Sequence, residues 1–236
     1  TMHRFFIEQR LDKDLIAIKD RPLVHQIKTV LKIRKGEKVA FFNAFPEDIG
    51  TEFIAELKNI EGSTLMFLIR EKFENRREST KRVTLFCSLP KKEKFEWILQ
   101  KGTEVGVQAF VPILSVRSEK KNINTTRCDT ILKEATEQSG RAYIPKLYEV
   151  TPFDQAIEFA KTLSRRTYFA HVNERDNMIR GAGDRTVNLF IGPEGGWDEK
   201  EVFAAGRAGF DPISLGRLTL RAETAAIVGS YALLWG

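Results

Sequence analysis

The sequence predicts an α/β protein: a mostly parallel sheet covered by helices from residue 83 onward, preceded by a small β-barrel. Two observations carry this expectation. Residues 1–72 hold short apolar runs separated by turn residues such as Gly36, Gly50 and Gly62, a spacing that suits a small barrel. From Val83 the rhythm changes to strands alternating with helices, which places helices on the faces of a parallel sheet. Residues 73–82 lie between. They are polar, include Arg76, Arg77 and Lys81, lack apolar periodicity, and read as a basic linker between a domain over 1–72 and a domain over 83–236.

Each element has its own signal. Residues 4–8, 37–43, 51–57 and 64–69 alternate or run apolar and read as strands. One helix interrupts them: Leu23, Ile27, Val30 and Leu31 share a face, with Asp20 as N-cap and Pro22 in the first turn. In the second part, 83–89, 110–114, 167–172, 187–191 and 213–215 read as strands. Helices are expected over 92–106, burying Phe95, Ile98 and Leu99, and over 126–140, with Ile131, Leu132 and Ala135 inward. Three more are expected over 152–163, capped by Thr151, over 198–209, and from about 223 to 236. Parallel sheets of this kind bind ligands at the carboxyl ends of their strands, where the loops gather.

Composition narrows the class. Of the 236 residues 42% are hydrophobic and 30% charged, a globular rather than a disordered profile. No apolar stretch approaches the roughly 20 residues of a membrane-spanning helix, and the start lacks the apolar region of a secretory signal. Thr1 ahead of Met2 reads as an expression remnant. Cys87 and Cys128 sit in apolar segments and suggest neither a metal site nor a disulfide framework, so a reduced cytoplasm fits. A formal charge of +6 favours a polyanionic partner, although solvated lysines alone produce such a charge. A second basic run, Lys91, Lys92 and Lys94, follows the linker.

Two segments carry chemistry. The first runs from a buried strand ending at Ile191 through Gly192, Pro193, Glu194, Gly195, Gly196 and Trp197 to Asp198, which can cap a helix with Glu201 three residues on. The glycines permit positive φ and close approach of a ligand to the backbone. A tight strand-to-helix turn without a ligand fits this motif equally well. The Gly-Lys-Ser/Thr ending of a phosphate loop is absent, and Glu194 would repel phosphates, so a neutral or cationic ligand suits the turn better. The second segment runs from Ser214 through Leu215, Gly216, Leu218 and Leu220 to Arg221, Glu223 and Thr224 at a helix start. Arg221 and Glu223 read either as a surface ion pair of little consequence or as a fixed cation and carboxylate at a ligand site. Beside the glycine turn, the second reading gains.

Together, Ile191-Gly-Pro-Glu-Gly-Gly196 and the later Leu215-Gly216-x-x-x-Leu220-Arg221-x-Glu223-Thr224-Ala225 resemble the paired signature of the RsmE family of 16S rRNA (uracil-N3)-methyltransferases, within the SPOUT superfamily. Other blocks agree in order: Met2 to Phe6; His25 with Val30, Leu31 and Gly36; Gln100, Lys101, Thr103, Glu104, Gly106 and Val107 with Pro112, Ser115, Arg117 and Ser118; and Glu134, Ala135, Glu137, Gln138, Ser139 and Arg141. Departures are small. Lys32 stands for an expected Arg, Gly102 and Val105 for Ala and Leu, and Trp197 for the commoner Phe.

The resemblance implies a PUA-like β-barrel followed by a SPOUT domain with a deep trefoil knot, a fold that chain-topology rules alone would not suggest. It implies S-adenosyl-L-methionine as cofactor, held among three loops: His171 and Val172; Ile191, Gly192, Pro193, Gly195 and Gly196; and Leu215, Gly216, Leu218 and Leu220. His171 taken alone is more often a structural hydrogen-bonder. Methyl transfer is a direct displacement, so no metal and no covalent intermediate are required, and positioning is the main task. The N3 target sits on the Watson–Crick edge and must be unpaired. Arg221 would stabilise the developing uracil anion, with Glu194 or Glu223 orienting the base or accepting its proton. RNA docking would fall to Arg4, His25, Lys28, Lys32, Arg76 and Arg77. Arg141 would reach the site across a homodimer. The implied partner is 16S rRNA in the small ribosomal subunit, near its 3′ end, with no membrane partner. Two rivals stay open: another SPOUT branch that methylates a ribose 2′-oxygen, and a non-catalytic RNA-binding assembly factor.

Overall fold

Gly62, with φ of 61°, turns the longest hairpin of the molecule, in which β4 (Thr51–Glu61) and β5 (Thr64–Glu74) pair antiparallel along their whole length. This computed structural model describes residues 2–91, 93–118, 121–174, 177–179 and 183–236. The hairpin anchors the first of two units, which comprises the chain up to Glu78 together with Thr136–Ile144. Three shorter strands complete its sheet: β1 (Arg4–Phe6), β2 (Leu15–Ile18) and β3 (Lys38–Phe42). The order is β1-β3-β4-β5-β2, with β1 parallel to β3 and the other pairs antiparallel.

Expectation and structure differ here in three ways. Among the described residues no ladder joins β1 to β2, so the sheet is open by hydrogen bonding rather than a closed barrel. The edge strands, three and four residues long, give such a ladder little to build on. The strand β2 escaped the sequence reading because Asp14 and Lys19 leave only four residues in which to show a period. Finally, β5 runs on to Glu74, into the stretch read as linker.

Phe5, Phe41, Phe53 and Phe67 fill the core under the sheet, with Phe41 and Phe67 meeting edge to face at 5.0 Å. Each is worth about 2–3 kcal/mol by area removed from water. The expected helix closes over them as α1 (Arg21–His25), where Asp20 accepts the Leu23 amide at 2.8 Å and Pro22 lies in the first turn. It then widens into a π-helical turn, Gln26–Val30. The end is a left-handed cap: Ile33 N–H donates to Ile27 C=O and Lys32 takes φ of 53°, a conformation normally given to glycine. Lys32 there costs about 1 kcal/mol.

The second unit comprises Ser79–Ala135 and Pro145–Gly236. Its strands are β6 (Arg82–Ser88), β7 (Ala109–Leu114), β8 (Lys146–Leu147), β9 (Thr151–Pro152), β10 (Thr167–Ala170), β11 (Thr186–Ile191) and β12 (Asp211–Ile213). All recorded pairs are parallel, in the order β12-β10-β11-β6-β7-β8, with β9 also on β7. The chain order reverses at β6, so β6 and β11 form the switch point where parallel sheets place ligands.

Helices cover both faces. The side chain of Phe190 stacks on Phe86 at 4.4 Å and meets α4 (Phe153–Leu163) through Phe153. The adjacent Leu189 points the other way, toward α6 (Ala222–Trp235), where Gly229 makes room: a Cβ there would lie 2.9 Å from Leu189. The helix α6 packs on α2 (Lys94–Val105), and α5 (Glu199–Arg207) packs beside α4. Lys92, expected to open α2, lies outside the described residues. In α2, Gly102 faces the Phe110 ring, which a Cβ would meet at 2.6 Å, so the departure from the family's Ala has a local cause. The helix α3 (Thr125–Ser139) gives its last turn to the first unit. Thr151 belongs to β9 and does not cap α4, whose N-cap is Pro152 without a side-chain bond.

Candidate active site

Four loops leave the carboxyl ends of β6, β10, β11 and β12, and three of them contain the segments singled out above. The glycine turn is the most constrained. Gly196, with φ of 72°, closes it by donating to Pro193 C=O at 2.9 Å. Gly192 lies against the Trp197 indole, which a Cβ would meet at 2.9 Å. The indole N–H in turn donates to Ala170 C=O at 2.9 Å, so the turn after β11 is tied to the end of β10. The commoner Phe could not make that bond.

At the far end of the turn Asp198 caps α5 in a full capping box: Lys200 N–H donates to Asp198 and Asp198 N–H to Glu201 Oε2 at 2.8 Å. Glu201 is buried, and its other oxygen accepts Val116 N–H at 2.9 Å. Arg117 adds a bond to Gly195 C=O at 2.8 Å and faces Asp198 at 3.6 Å. The loop after β7 therefore latches the glycine turn from outside.

The loop after β12 is held at its root. Ser214 N–H donates to Asn177 C=O, Ile179 N–H donates to Ser214 C=O, and Gly216 takes φ of 127°. Leu215 and Leu220 are half-buried, but Leu218 is 82% exposed. At the end of β10, His171 N–H donates to Ile213 C=O while Val172 is exposed. Apolar side chains thus stand bare at two of the three loops.

Charge converges on the same end of the sheet. Lys94, at the first turn of α2, lies 3.0 Å from Glu194 Oε1 and 3.5 Å from Glu223 Oε1 in the first turn of α6. Burial raises the Glu194 pKa, yet bonds from Lys94 and from backbone amides outweigh it and leave the carboxyl below its ordinary value. The bond to Glu194 likewise holds the Lys94 ammonium above its ordinary value. By linkage, the Glu194 contribution to stability is present above the usual carboxylate range and fades as pH falls through the lowered value. Burial, then the fields of Glu194 and Glu223, push the Cys87 thiol up to about 12, so this cysteine on β6 is no nucleophile at neutral pH.

The structure brings most of the predicted residues together. His171 and Val172, Ile191 to Gly196, and Leu215 to Leu220 lie at neighbouring strand ends, and Glu194 and Glu223 share Lys94. Arg221 is the exposed N-cap of α6. In the first unit His25, Lys28 and Lys32 are exposed along one helical stretch. Arg76 and Arg77 are exposed as well, beside Glu74 and Glu52 respectively.

Arg4 and Arg141 lie inward. The Arg4 guanidinium is buried, donating to Thr136, Glu137 and Arg141 carbonyls and pairing with Glu52 at 2.9 Å. Arg141 is 5% exposed and pairs with Glu78 at 2.9 Å. Carbonyls at the end of α3 accept from Arg4 and the Glu78 carboxylate holds Arg141, partners that residue type alone does not reveal. Sequence reasoning passed over Lys94 and Arg117 as site residues. The signal for Lys94 was its place at a helix start directly after a central strand.

Comparison with known proteins follows the same geometry. Residues 77–234 match the family model described as an RNA methyltransferase domain. The chain is 29% identical to ribosomal RNA small subunit methyltransferase E of Bacillus subtilis, covering 98% of this chain and 94% of that one. It is 32% identical to the protein of the same name from Synechocystis, covering 87% and 68%. A crystal structure of ribosomal RNA small subunit methyltransferase E from Neisseria gonorrhoeae bound to S-adenosyl methionine superposes with a TM-score of 0.87 at 26% identity, covering 98% and 96%.

Proposed function

This chain belongs to the ribosomal RNA small subunit methyltransferase E family, and from that premise we propose that it methylates N3 of a uridine near the 3′ end of 16S rRNA, with S-adenosyl-L-methionine as donor. The observation that carries this reading is the cluster of backbone-open glycines and bare apolar side chains at the ends of β10, β11 and β12. A Cβ at Gly196 or Gly216 would meet nothing within 4 Å, and Leu218 and Val172 stand uncovered. A flat adenine and its neighbouring sulfonium arm fit such a cradle. Covering Leu218 alone is worth about 1.5–3 kcal/mol.

When bound, S-adenosyl-L-methionine supplies an electrophilic methyl carbon on a sulfonium. The chain does the rest. Backbone groups at His171, Val172, Ile191, Gly192, Pro193, Gly195, Gly196 and Gly216 hold the adenine edge, and Leu215, Leu218 and Leu220 cover its faces. Arg221 sits by a uracil carbonyl oxygen and favours the anionic base as the N3 proton leaves. Glu194 and Glu223 hold or take that proton. His25, Lys28, Lys32, Arg76 and Arg77 track phosphates, with affinity that falls steeply as salt rises.

The same reading takes the first unit as a PUA-like RNA-binding module and the second as a SPOUT domain with a trefoil knot. In support of the knot, α6 leaves the edge strand β12 yet packs on β6 and β11 in the middle of the sheet. Val228, Tyr231 and Trp235 are exposed along α6, a face that suits a homodimer. The enzyme acts in the cytoplasm on the small subunit.

The test is methyl transfer from radiolabelled donor to small subunits lacking the modification, followed by mass spectrometry of the nucleosides. Recovery of 3-methyluridine is expected. A 2′-O-methylated nucleoside would move the chain to another SPOUT activity. No incorporation and no donor binding would leave an RNA-binding assembly factor.

A further inference from the structure

Glu194 and Glu223 are not equivalent. The Glu194 carboxylate accepts from Lys94 at 3.0 Å, and backbone amides at Glu194 and Lys91 help to hold it below its ordinary value. Glu223 touches Lys94 through Oε1, at the longer 3.5 Å, and its Oε2 is buried with no hydrogen-bond partner among the described residues. A buried carboxylate oxygen left bare is costly and calls for a proton donor. Three chain segments that lie far apart in sequence place these groups: α2, the turn after β11 and the first turn of α6. Other charged or titratable groups nearby are the Cys87 thiol on β6 and Arg221, two residues ahead of Glu223.

We propose that Glu223 Oε2 accepts the N3 proton of the target uracil, and that Lys94 is the positioning residue that anchors on Glu194 and holds Glu223 aimed. This division of roles rests on the function proposed above. Two carboxylates brought together without a cation would share a proton, and the protonated one could accept none. Lys94 removes that conflict. Its firm bond to Glu194 fixes the ammonium, and its looser contact with Glu223 leaves one oxygen basic. In the step, the N3–H bond breaks as Glu223 Oε2 takes the proton. The nitrogen pair forms the bond to the methyl carbon, and the carbon–sulfur pair leaves on sulfur as a neutral thioether. Glu223 then returns its proton to solvent.

The experiment is single-turnover methylation of unmodified small subunits across pH, with 3-methyluridine quantified by mass spectrometry and donor affinity measured by calorimetry on each variant. Wild type should show an acid limb set by one carboxylate. Glu223→Gln should lose at least about 100-fold in rate, the usual worth of a general base, together with that limb. Lys94→Met should lower the rate at unchanged donor affinity, because Glu223 loses the cation that holds it in place, and Lys94→Arg should restore most of it. Glu194→Gln should lower the rate less than Glu223→Gln and keep the limb. Variants that bind donor as wild type does are folded at the site. If Glu223→Gln keeps the acid limb, or Lys94→Met turns over as fast as wild type, the assignment is overturned while the proposed function stands. A wild type that makes no 3-methyluridine overturns both.

Discussion

The two units each bring basic and acidic side chains together, and they do so to opposite ends. In the first, Glu52 is buried and takes Arg4, Asn75 and Arg77. The terminal nitrogens of Arg4 are matched by three carbonyls and a carboxylate, and only its Nε lacks a partner among the described residues. In the second, Lys94, Glu194 and Glu223 are only partly covered, and Glu223 Oε2 is left bare. A closed cluster spends its charge on holding segments together. An incomplete one keeps an acceptor unused. Residue type does not separate the cases; burial and hydrogen-bond completeness do.

Substitution can break or sharpen this contrast. The largest effect is expected at Arg4. Arg4→Met leaves a buried carboxylate and three carbonyls short of a donor and should cost about 3–5 kcal/mol in urea unfolding. If stability instead held and only RNA affinity fell, Arg4 would be an RNA contact and the contrast would fail. Arg221→Ala should do the reverse, lowering turnover about 100-fold, or about 2.7 kcal/mol of barrier, with donor affinity and melting unchanged. Equal methylation rates for variant and wild type would remove Arg221 from the chemistry.

Trp197→Phe tests whether closure belongs to a unit or to a local network. It deletes the bond to Ala170 C=O within the second unit and should cost about 1 kcal/mol in thermal melts. The smallest effect is expected at Arg76→Ala, since Arg76 and Glu74 are 83% and 68% exposed. Its unfolding free energy should stay within about 0.5 kcal/mol of wild type. A loss as large as that of Arg4→Met would mean that pairing rather than burial decides.

Much of this was legible in the chain itself, for identifiable reasons. The parallel sheet followed from strand–helix alternation, and the glycine turn with its Asp198–Glu201 box followed from residues within ten positions of each other. The Asp20 cap was equally local. What escaped was set by register across the fold. Lys94 meets Glu194 because β6 and β11 are parallel neighbours, with Cys87 opposite Ile191, and no spacing along the chain encodes that pairing. The inward placement of Arg4 and Arg141 was hidden for the same reason. Their partners lie on other segments, and an arginine viewed alone defaults to solvent or phosphate. The bare oxygen of Glu223 was also invisible, because completeness of hydrogen bonding is a property of the assembled site.

The first unit closes around Thr136–Ile144, a stretch that follows Glu78 only after a long intervening segment. That has a consequence for synthesis. The acceptors for Arg4 are made about 60 residues after the sheet itself, a wait of about 3–12 s at ordinary elongation rates. During that interval the nascent sheet carries Arg4 and Glu52 with each other but without the α3 carbonyls that complete them. The unit is therefore finished by a later part of the message, and a fragment ending near Glu78 would encode the strands of this module without its clasp.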